Sequence, residues 1–226
     1  MPELLEAIEI ETGHNPAAAV IWMHGLGADG NDFVPIVPEL GLAGGPAIRF
    51  VFPHAPMRPV TINNGYVMRA WYDVTYGDLE GQSRKADERG VRGSEAQIRA
   101  LIEHQVRQGI SAKKIALAGF SQGGAVALET GLRYPEALAG IMALSTYLPL
   151  AAALPGEASP ANRAIPIFMA HGIYDPVVPY LMGTTSKTTL AALGYEVEWH
   201  EYPMQHSVCA EEVRDIGKWL RRVLAA

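Results

Sequence analysis

A serine stands between glycines in the stretch 119–123, GFSQG, directly after the apolar run IALA and before the helix-forming run AVALETGLRY. The stretch matches G-x-S-x-G, a motif in which the serine occupies a sharp turn between a strand and a helix. The glycines let the two elements pass without a clash. A phosphate-binding loop is the alternative, but GFSQGG lacks the lysine and the spacing of a P-loop. We therefore predict that Ser121 is a nucleophile.

A serine hydroxyl group needs a base to take its proton and a carboxylate to orient that base. Asp175 follows the apolar run IPIFMA, and His206 lies in YPMQHSV after the last predicted strand. Taken singly, Asp175 could be a turn residue ahead of a proline, and His206 could be a solvated surface residue. The order Ser121, Asp175, His206, each just past a predicted strand, is that of an α/β-hydrolase triad. We expect His206 to be the general base and Asp175 its orienting acid.

The other histidines are placed differently. His24 and His171 each precede a glycine at the end of a predicted strand. We expect their rings to form hydrogen bonds with the neighbouring backbone. His54 lies between prolines, where it could line the site. No HExxH or other ligand spacing is present, so we expect no metal ion.

The loop 23–33, MHGLGADGNDF, follows the first central strand and contains three glycines. An oxyanion hole needs a second donor besides the amide of the residue after the serine. This loop could bring such an amide close to Ser121. It could also be an ordinary flexible connection.

Short apolar runs that alternate with amphipathic segments must position these residues. We predict buried parallel strands at 18–23, 48–52, 115–118, 140–144 and 167–170, because continuous apolar runs of this length suit them. An alternating strand is predicted at 195–202. Helices are predicted at 94–108, beginning at a capping box of Ser94 and Gln97, and at 208–224. The fold class is therefore α/β, a mostly parallel central sheet with helices on both faces, in one domain over 1–226.

The segment 58–93 interrupts this alternation, because it is polar, contains glycines and is too long for an ordinary connection. Its aromatic residues, which include Trp71 and Tyr72, argue against a disordered linker. We predict a short excursion that covers part of the protein. The one long uncharged stretch, 137–156, contains prolines and polar residues. It is expected to be a buried strand followed by a loop rather than a membrane span.

Composition excludes several classes of protein. The formal net charge is −6 and no block of lysine or arginine is present, which argues against nucleic acid as a partner. The only cysteine, Cys209, cannot form an internal disulfide and is expected to be a small core residue on a helix. Acidic residues near the N-terminus stand where a secretory signal would be basic, which favours a cytoplasmic protein with no stable membrane insertion. Periodicity does not decide assembly, so a homodimer stays possible.

Six segments resemble, in order, motifs of the phospholipase/carboxylesterase family of α/β-hydrolases, which includes carboxylesterases and acyl-protein thioesterases: HGLGADGNDF, FPHAP, RPVTINNGYVMRAWYD, AGFSQGGAVAL, HGIYDPVVP and EYPMQHSV. The segment RPVTINNGYVMRAWYD, and the further segment ALSTYLP, look closer to bacterial carboxylesterases. The resemblance implies an α/β-hydrolase fold and the triad named above. It further implies that the backbone amides of Leu26 and Gln122 form the oxyanion hole and that Trp71 helps to shape an acyl pocket.

The sequence thus predicts a serine carboxylesterase that hydrolyses small ester substrates of short to medium acyl chain through an acyl-enzyme and needs no cofactor. One alternative keeps the same chemistry: an acyl-protein thioesterase or lysophospholipase that acts on long acyl chains. A second alternative is a binding protein that has the fold but no turnover.

Overall fold

The computed structural model describes residues 4–75 and 87–225. Within them, seven strands form one sheet in the order β1-β3-β2-β6-β7-β8-β9. Its parallel strands are β2 (Ala18–Met23), β3 (Ile48–Pro53), β6 (Ile115–Phe120), β7 (Gly140–Leu144), β8 (Ile167–Gly172) and β9 (Val197–Tyr202). The alternating N-terminal strand β1 (Ala7–Glu11) pairs antiparallel with β3 at one edge. The predicted, mostly parallel sheet is confirmed.

Helices pack on both faces of this sheet. They are α1 (Glu88–Arg107), α2 (Gln122–Arg133), the single turn α3 (Leu154–Glu157), α4 (Tyr180–Ala192) and α5 (Ala210–Ala225). Side chains of β2 alternate between two buried cores: Ile21 packs with residues of α1 and α2, and Trp22 packs with residues of α5. None of the helices in the described residues combines the length and the apolar character needed to cross a membrane.

Helix α1 begins six residues before the predicted start. Its N-cap is Asp87, whose side chain accepts a hydrogen bond of 2.9 Å from the Gly90 amide. Ser94, predicted to be the cap, is fully buried inside the helix and donates its hydroxyl hydrogen to the Trp71 carbonyl oxygen. The predicted capping box is therefore wrong, because the Ser94 hydroxyl group is used for a tertiary contact.

The predicted excursion is partly regular structure. A hairpin of β4 (Met57–Val60) and β5 (Tyr66–Arg69) opens it, and its last residues belong to α1. Residues 76–86 of the excursion lie outside the described residues. The closing helix agrees with the prediction to within two residues. Cys209 is half-buried directly before that helix rather than on it, and its carbonyl oxygen accepts from the Val213 amide at 3.0 Å.

Candidate active site

Ser121 lies in the turn between β6 and α2 with φ 55° and ψ −122°. Left-handed φ is costly for a residue with a Cβ atom and is stored at functional sites when the surroundings enforce it. Here the Ser121 amide donates to the Leu144 carbonyl oxygen at 2.8 Å, which ties the turn to β7. A Cβ atom on Gly119 would overlap the backbone of Gly123. The expectation that glycines are needed at this turn is confirmed.

The side chain of Gln122 forms two hydrogen bonds with the backbone of the excursion. Its Oε1 atom accepts from the Trp71 amide and its Nε2 atom donates to the Tyr72 carbonyl oxygen, both at 2.7 Å. Gln122 is also the first residue of α2, where backbone N–H groups have no partner within the helix. The main-chain amide of Gln122 is therefore the part of this residue that is available to a ligand.

Asp175 and His206 are in direct contact. His206 Nδ1 lies 2.7 Å from Asp175 Oδ2, and Asp175 Oδ1 accepts from the amides of Val177 and Val178 at 2.8 and 2.9 Å. Burial of the Asp175 side chain favours the protonated acid. The hydrogen bond and charge of His206 and the two amides outweigh that burial and hold the pKa of Asp175 below its ordinary value. An ionised Asp175 keeps the proton of a neutral His206 ring on Nδ1, which leaves Nε2 free to accept one.

His206 lies beside the serine turn. Its ring packs on Phe120, the residue before Ser121, with 4.6 Å between ring centroids. The preceding loop rests on the end of β8, where a Cβ atom on Gly172 would approach the Met204 carbonyl oxygen to 2.5 Å and that of Gln205 more closely still. The absence of a side chain at Gly172 therefore sets how closely the His206 loop approaches the sheet.

Replacing Gly172 by alanine is expected to displace the His206 loop. Overpacking of this kind costs about 1–3 kcal/mol of stability, and a shift of about 1 Å in a reacting group can cost about 100-fold in rate. We expect kcat to fall by about 10- to 100-fold while the protein still folds. Gly156→Ala is the matched control, since its Cβ atom would meet nothing within 4 Å. Full activity in the Gly172 variant would contradict this role.

The loop after β2 passes over the serine turn. A Cβ atom on Gly25 would lie 3.5 Å from Ser121 Cβ, and the Gly27 amide donates to the Arg69 carbonyl oxygen of β5 at 2.9 Å. Leu26 lies between these two glycines. The loop that carries Leu26 and the turn that carries Ser121 and Gln122 are thus packed together, which is one of the two arrangements that the sequence left open.

Trp71 is fully buried and links the end of β2, the start of α2 and helix α1. Its indole N–H donates to the His24 carbonyl oxygen at 2.9 Å, and its backbone is bonded to Gln122 and Ser94. These contacts are with protein groups that support the site. That Trp71 also shapes an acyl pocket stays a prediction.

The rings of His24 and His171 are hydrogen-bonded to nearby backbone, as predicted. His171 Nε2 lies 2.9 Å from the Val178 carbonyl oxygen and 3.6 Å from Asp175 Oδ2, and burial lowers the pKa of this ring. That His171 lies close to Asp175 was not predicted from the sequence. The signal that could have indicated this contact is that His171 stands four positions before Asp175, at the end of the same strand. The side chain of Gln122 was also missed, since no local pattern indicates its long-range partners. Among residues 4–75 and 87–225, no group of three or more His, Cys, Asp or Glu side chains is arranged to hold a metal ion.

Comparisons with known proteins identify the family of this chain. The family model described as phospholipase/carboxylesterase matches residues 5–224. Acyl-protein thioesterase 1 of Mycosarcoma maydis is 37% identical over 235 residues, which cover 97% of this chain and 96% of that protein. The Neurospora crassa protein of the same name is 41% identical over 210 residues, covering 90% and 85%.

Solved structures of similar proteins have the same fold. Acyl-protein thioesterase 2 of Zea mays superposes with a TM-score of 0.83 at 29% identity, over 97% of this chain and 99% of that one. Esterase PE8 gives a TM-score of 0.82 at 27% identity, over 98% and 100%. The chain is therefore an α/β-hydrolase enzyme that belongs to the phospholipase/carboxylesterase family.

Proposed function

We propose that this protein hydrolyses thioesters and oxygen esters of long acyl chains through an acyl-enzyme on Ser121. The observation that carries the proposal is the contact between the buried Asp175 and the half-buried His206, with 2.7 Å between Oδ2 and Nδ1, beside the strained serine turn. This arrangement supplies a nucleophile, a base and the group that orients the base. The chemistry uses only side chains and main-chain amides of this chain.

In the first half of the reaction, His206 Nε2 takes the proton of Ser121 Oγ as Oγ bonds to the carbonyl carbon. The oxygen of the tetrahedral intermediate accepts hydrogen bonds from the Leu26 and Gln122 amides. Collapse of the intermediate breaks the carbon–sulfur or carbon–oxygen bond, and the leaving thiol or alcohol takes the proton from His206. In the second half, His206 removes a proton from water, which attacks the acyl-enzyme. The carboxylic acid leaves and Ser121 regains its proton.

The preference for long acyl chains has two supports. The thioesterase relatives, at 37% and 41% identity, are named for acyl-protein thioester hydrolysis. Large apolar side chains are also exposed on two segments that adjoin the site: Met57, Tyr66 and Val67 on the hairpin whose Arg69 carbonyl oxygen accepts from the Leu26 loop, and Tyr174 and Val177 around Asp175. Burying each methylene of an acyl chain on such surface contributes about 0.8 kcal/mol. We therefore favour the long-chain alternative over the short-chain carboxylesterase first expected from the sequence.

A carboxylesterase of short to medium acyl chains is the second candidate. Esterase PE8, at 27% identity over 98% of this chain, supports it. The proposed serine chemistry is the same in both cases, so the two functions differ only in what binds beside Ser121.

The test is a series of nitrophenyl esters and matched thioesters from acetyl to palmitoyl, each assayed below the concentration at which it forms micelles. We expect kcat/KM to rise with chain length by about threefold to fourfold for each methylene that becomes buried, with thioesters at least as good as esters. A maximum at butyryl with weak thioester hydrolysis would favour the carboxylesterase. No hydrolysis, together with no labelling of Ser121 by a fluorophosphonate, would favour a binding protein.

A further inference from the structure

We propose that His24 is a positioning residue for the oxyanion hole, whose ring fixes the Gly25–Leu26 peptide so that the Leu26 N–H group faces the reacting carbonyl oxygen. The inference rests on the proposed acyl transfer at Ser121, because it assigns the Leu26 amide a role only if an oxyanion forms there.

The tautomer of the His24 ring follows from its two partners. The Ala55 amide donates to Nε2 at 3.1 Å. A backbone N–H group can only donate, so Nε2 carries no proton. The remaining proton of the neutral ring is therefore on Nδ1, which lies 2.7 Å from the Gly25 carbonyl oxygen and donates to it. Burial lowers the pKa of His24 to about 4, so the ring is neutral near pH 7.

The Gly25 carbonyl oxygen and the Leu26 N–H group belong to one planar peptide unit. Fixing the direction of the oxygen therefore fixes the direction of the N–H group on the opposite side of the plane. Gly25 has no side chain to restrict its backbone, and the Ala28 amide contributes only a longer bond of 3.3 Å to the same oxygen. A hydrogen bond to the carbonyl end also polarises the amide and makes its N–H group a better donor.

His24 is itself held firmly against the serine turn. Its carbonyl oxygen accepts from the Trp71 indole and would lie 2.6 Å from a Cβ atom on Gly123. The end of β2 and the start of α2 are thus in close contact. The His24 ring extends this fixed geometry to the next peptide along the loop, so the Leu26 and Gln122 amides are oriented with respect to each other.

A matched pair of substitutions separates this role from a merely structural one. The amide nitrogen of asparagine can stand near the position of Nδ1, so His24→Asn keeps the donor to Gly25 and loses the acceptor for Ala55. The carbonyl oxygen of glutamine can stand near Nε2, so His24→Gln keeps the acceptor and loses the donor. Each variant loses one buried hydrogen bond, so we expect similar falls in Tm.

The experiment measures kcat, KM and Tm of both variants on one nitrophenyl ester, and the affinity of each for a trifluoromethyl ketone, which forms a tetrahedral adduct with serine. We expect His24→Gln to lose about 10- to 100-fold in kcat with little change in KM, which is less than the loss of a whole oxyanion donor. Its affinity for the ketone should fall by a similar factor. His24→Asn should stay within about threefold of wild type. Equal losses in the two variants, or losses that follow Tm, would overturn the inference.

Nitrogen NMR of the wild-type protein gives an independent test that needs no variant to fold. We expect His24 to show a protonated Nδ1 and an unprotonated Nε2 at pH 7, and the opposite tautomer would refute the proposed bond to Gly25. Failure of the proposed function is distinguishable, because the wild-type enzyme would then neither hydrolyse the ester nor be labelled at Ser121.

Discussion

Substituting alanine for Ser121 is expected to reduce kcat by about 10⁶-fold, the size of the loss when the nucleophile of a serine triad is removed. In the proposed mechanism the Oγ atom of Ser121 bonds to the substrate, and alanine has no atom that can take its place. Both residues have a Cβ atom, so the strain at φ 55° is the same in the variant. We therefore expect a folded protein with unchanged Tm that has lost turnover and fluorophosphonate labelling.

Ser145 offers a matched control for this substitution. It follows β7 as Ser121 follows β6, has φ 45°, and donates its amide to the Ala170 carbonyl oxygen at 2.8 Å. It is fully buried, and its hydroxyl group has no hydrogen-bond partner among the described residues. Ser145→Ala should keep wild-type turnover and labelling. If Ser121→Ala kept more than about a tenth of the activity, the acyl-enzyme mechanism would have to be abandoned.

The sequence predicted the parts of the site that depend on local pattern. Gly119 is required by close backbone contact with Gly123, four positions away, and Gly123 by contact with the end of β2. The turn could be recognised because GFSQG stands between an apolar strand run and a helix-forming run. Buried parallel strands have continuous apolar runs, and their carboxyl ends share one edge of the sheet. For that reason the contact between Asp175 and His206, 31 positions apart, could be expected from their places after β8 and β9.

The predictions that failed concern side chains whose hydrogen-bond partners lie far away in the chain. Ser94 and Gln97 have the spacing of a capping box, but the Ser94 hydroxyl group bonds to Trp71, 23 positions away, and Asp87 caps the helix instead. The Gln122 side chain likewise holds the backbone of Trp71 and Tyr72. Such tertiary hydrogen bonds leave no periodic signal. The excursion was thus predicted as a covering segment, but its links to the serine turn and to the loop that carries Leu26 could not be predicted.

Asp175→Asn is expected to have the second large effect, because it changes the tautomer of His206 without changing its place. The asparagine oxygen can keep the hydrogen bonds from the Val177 and Val178 amides, which fixes its NH₂ group toward His206 Nδ1. Two donors cannot share that contact, so the ring must move its proton to Nε2. That nitrogen then cannot accept the proton of Ser121. A loss of about 10⁴-fold in kcat is expected from this change.

The pH dependence of Tm provides a second test of Asp175→Asn, and its direction follows from the pKa of Asp175. The folded-state pKa of Asp175 lies below its ordinary value, so the carboxylate contributes stability that is present above the unfolded pKa of about 3.9 and is lost as pH falls through the folded value. The variant lacks this contribution. Its Tm should therefore lie below that of wild type at neutral pH, and the gap should narrow as the pH falls below about 4.

Asp215→Asn is the control, because its carboxylate on α5 also accepts hydrogen bonds, from Tyr202 at 3.0 Å and Lys218 at 2.8 Å, and neither partner is a candidate site residue. It should change stability with pH in the same direction and leave kcat unaltered. Turnover within about tenfold of wild type in Asp175→Asn would mean that His206 does not depend on a carboxylate for its tautomer. The 2.7 Å contact would then be structural, and the general base would have to be sought elsewhere near Ser121.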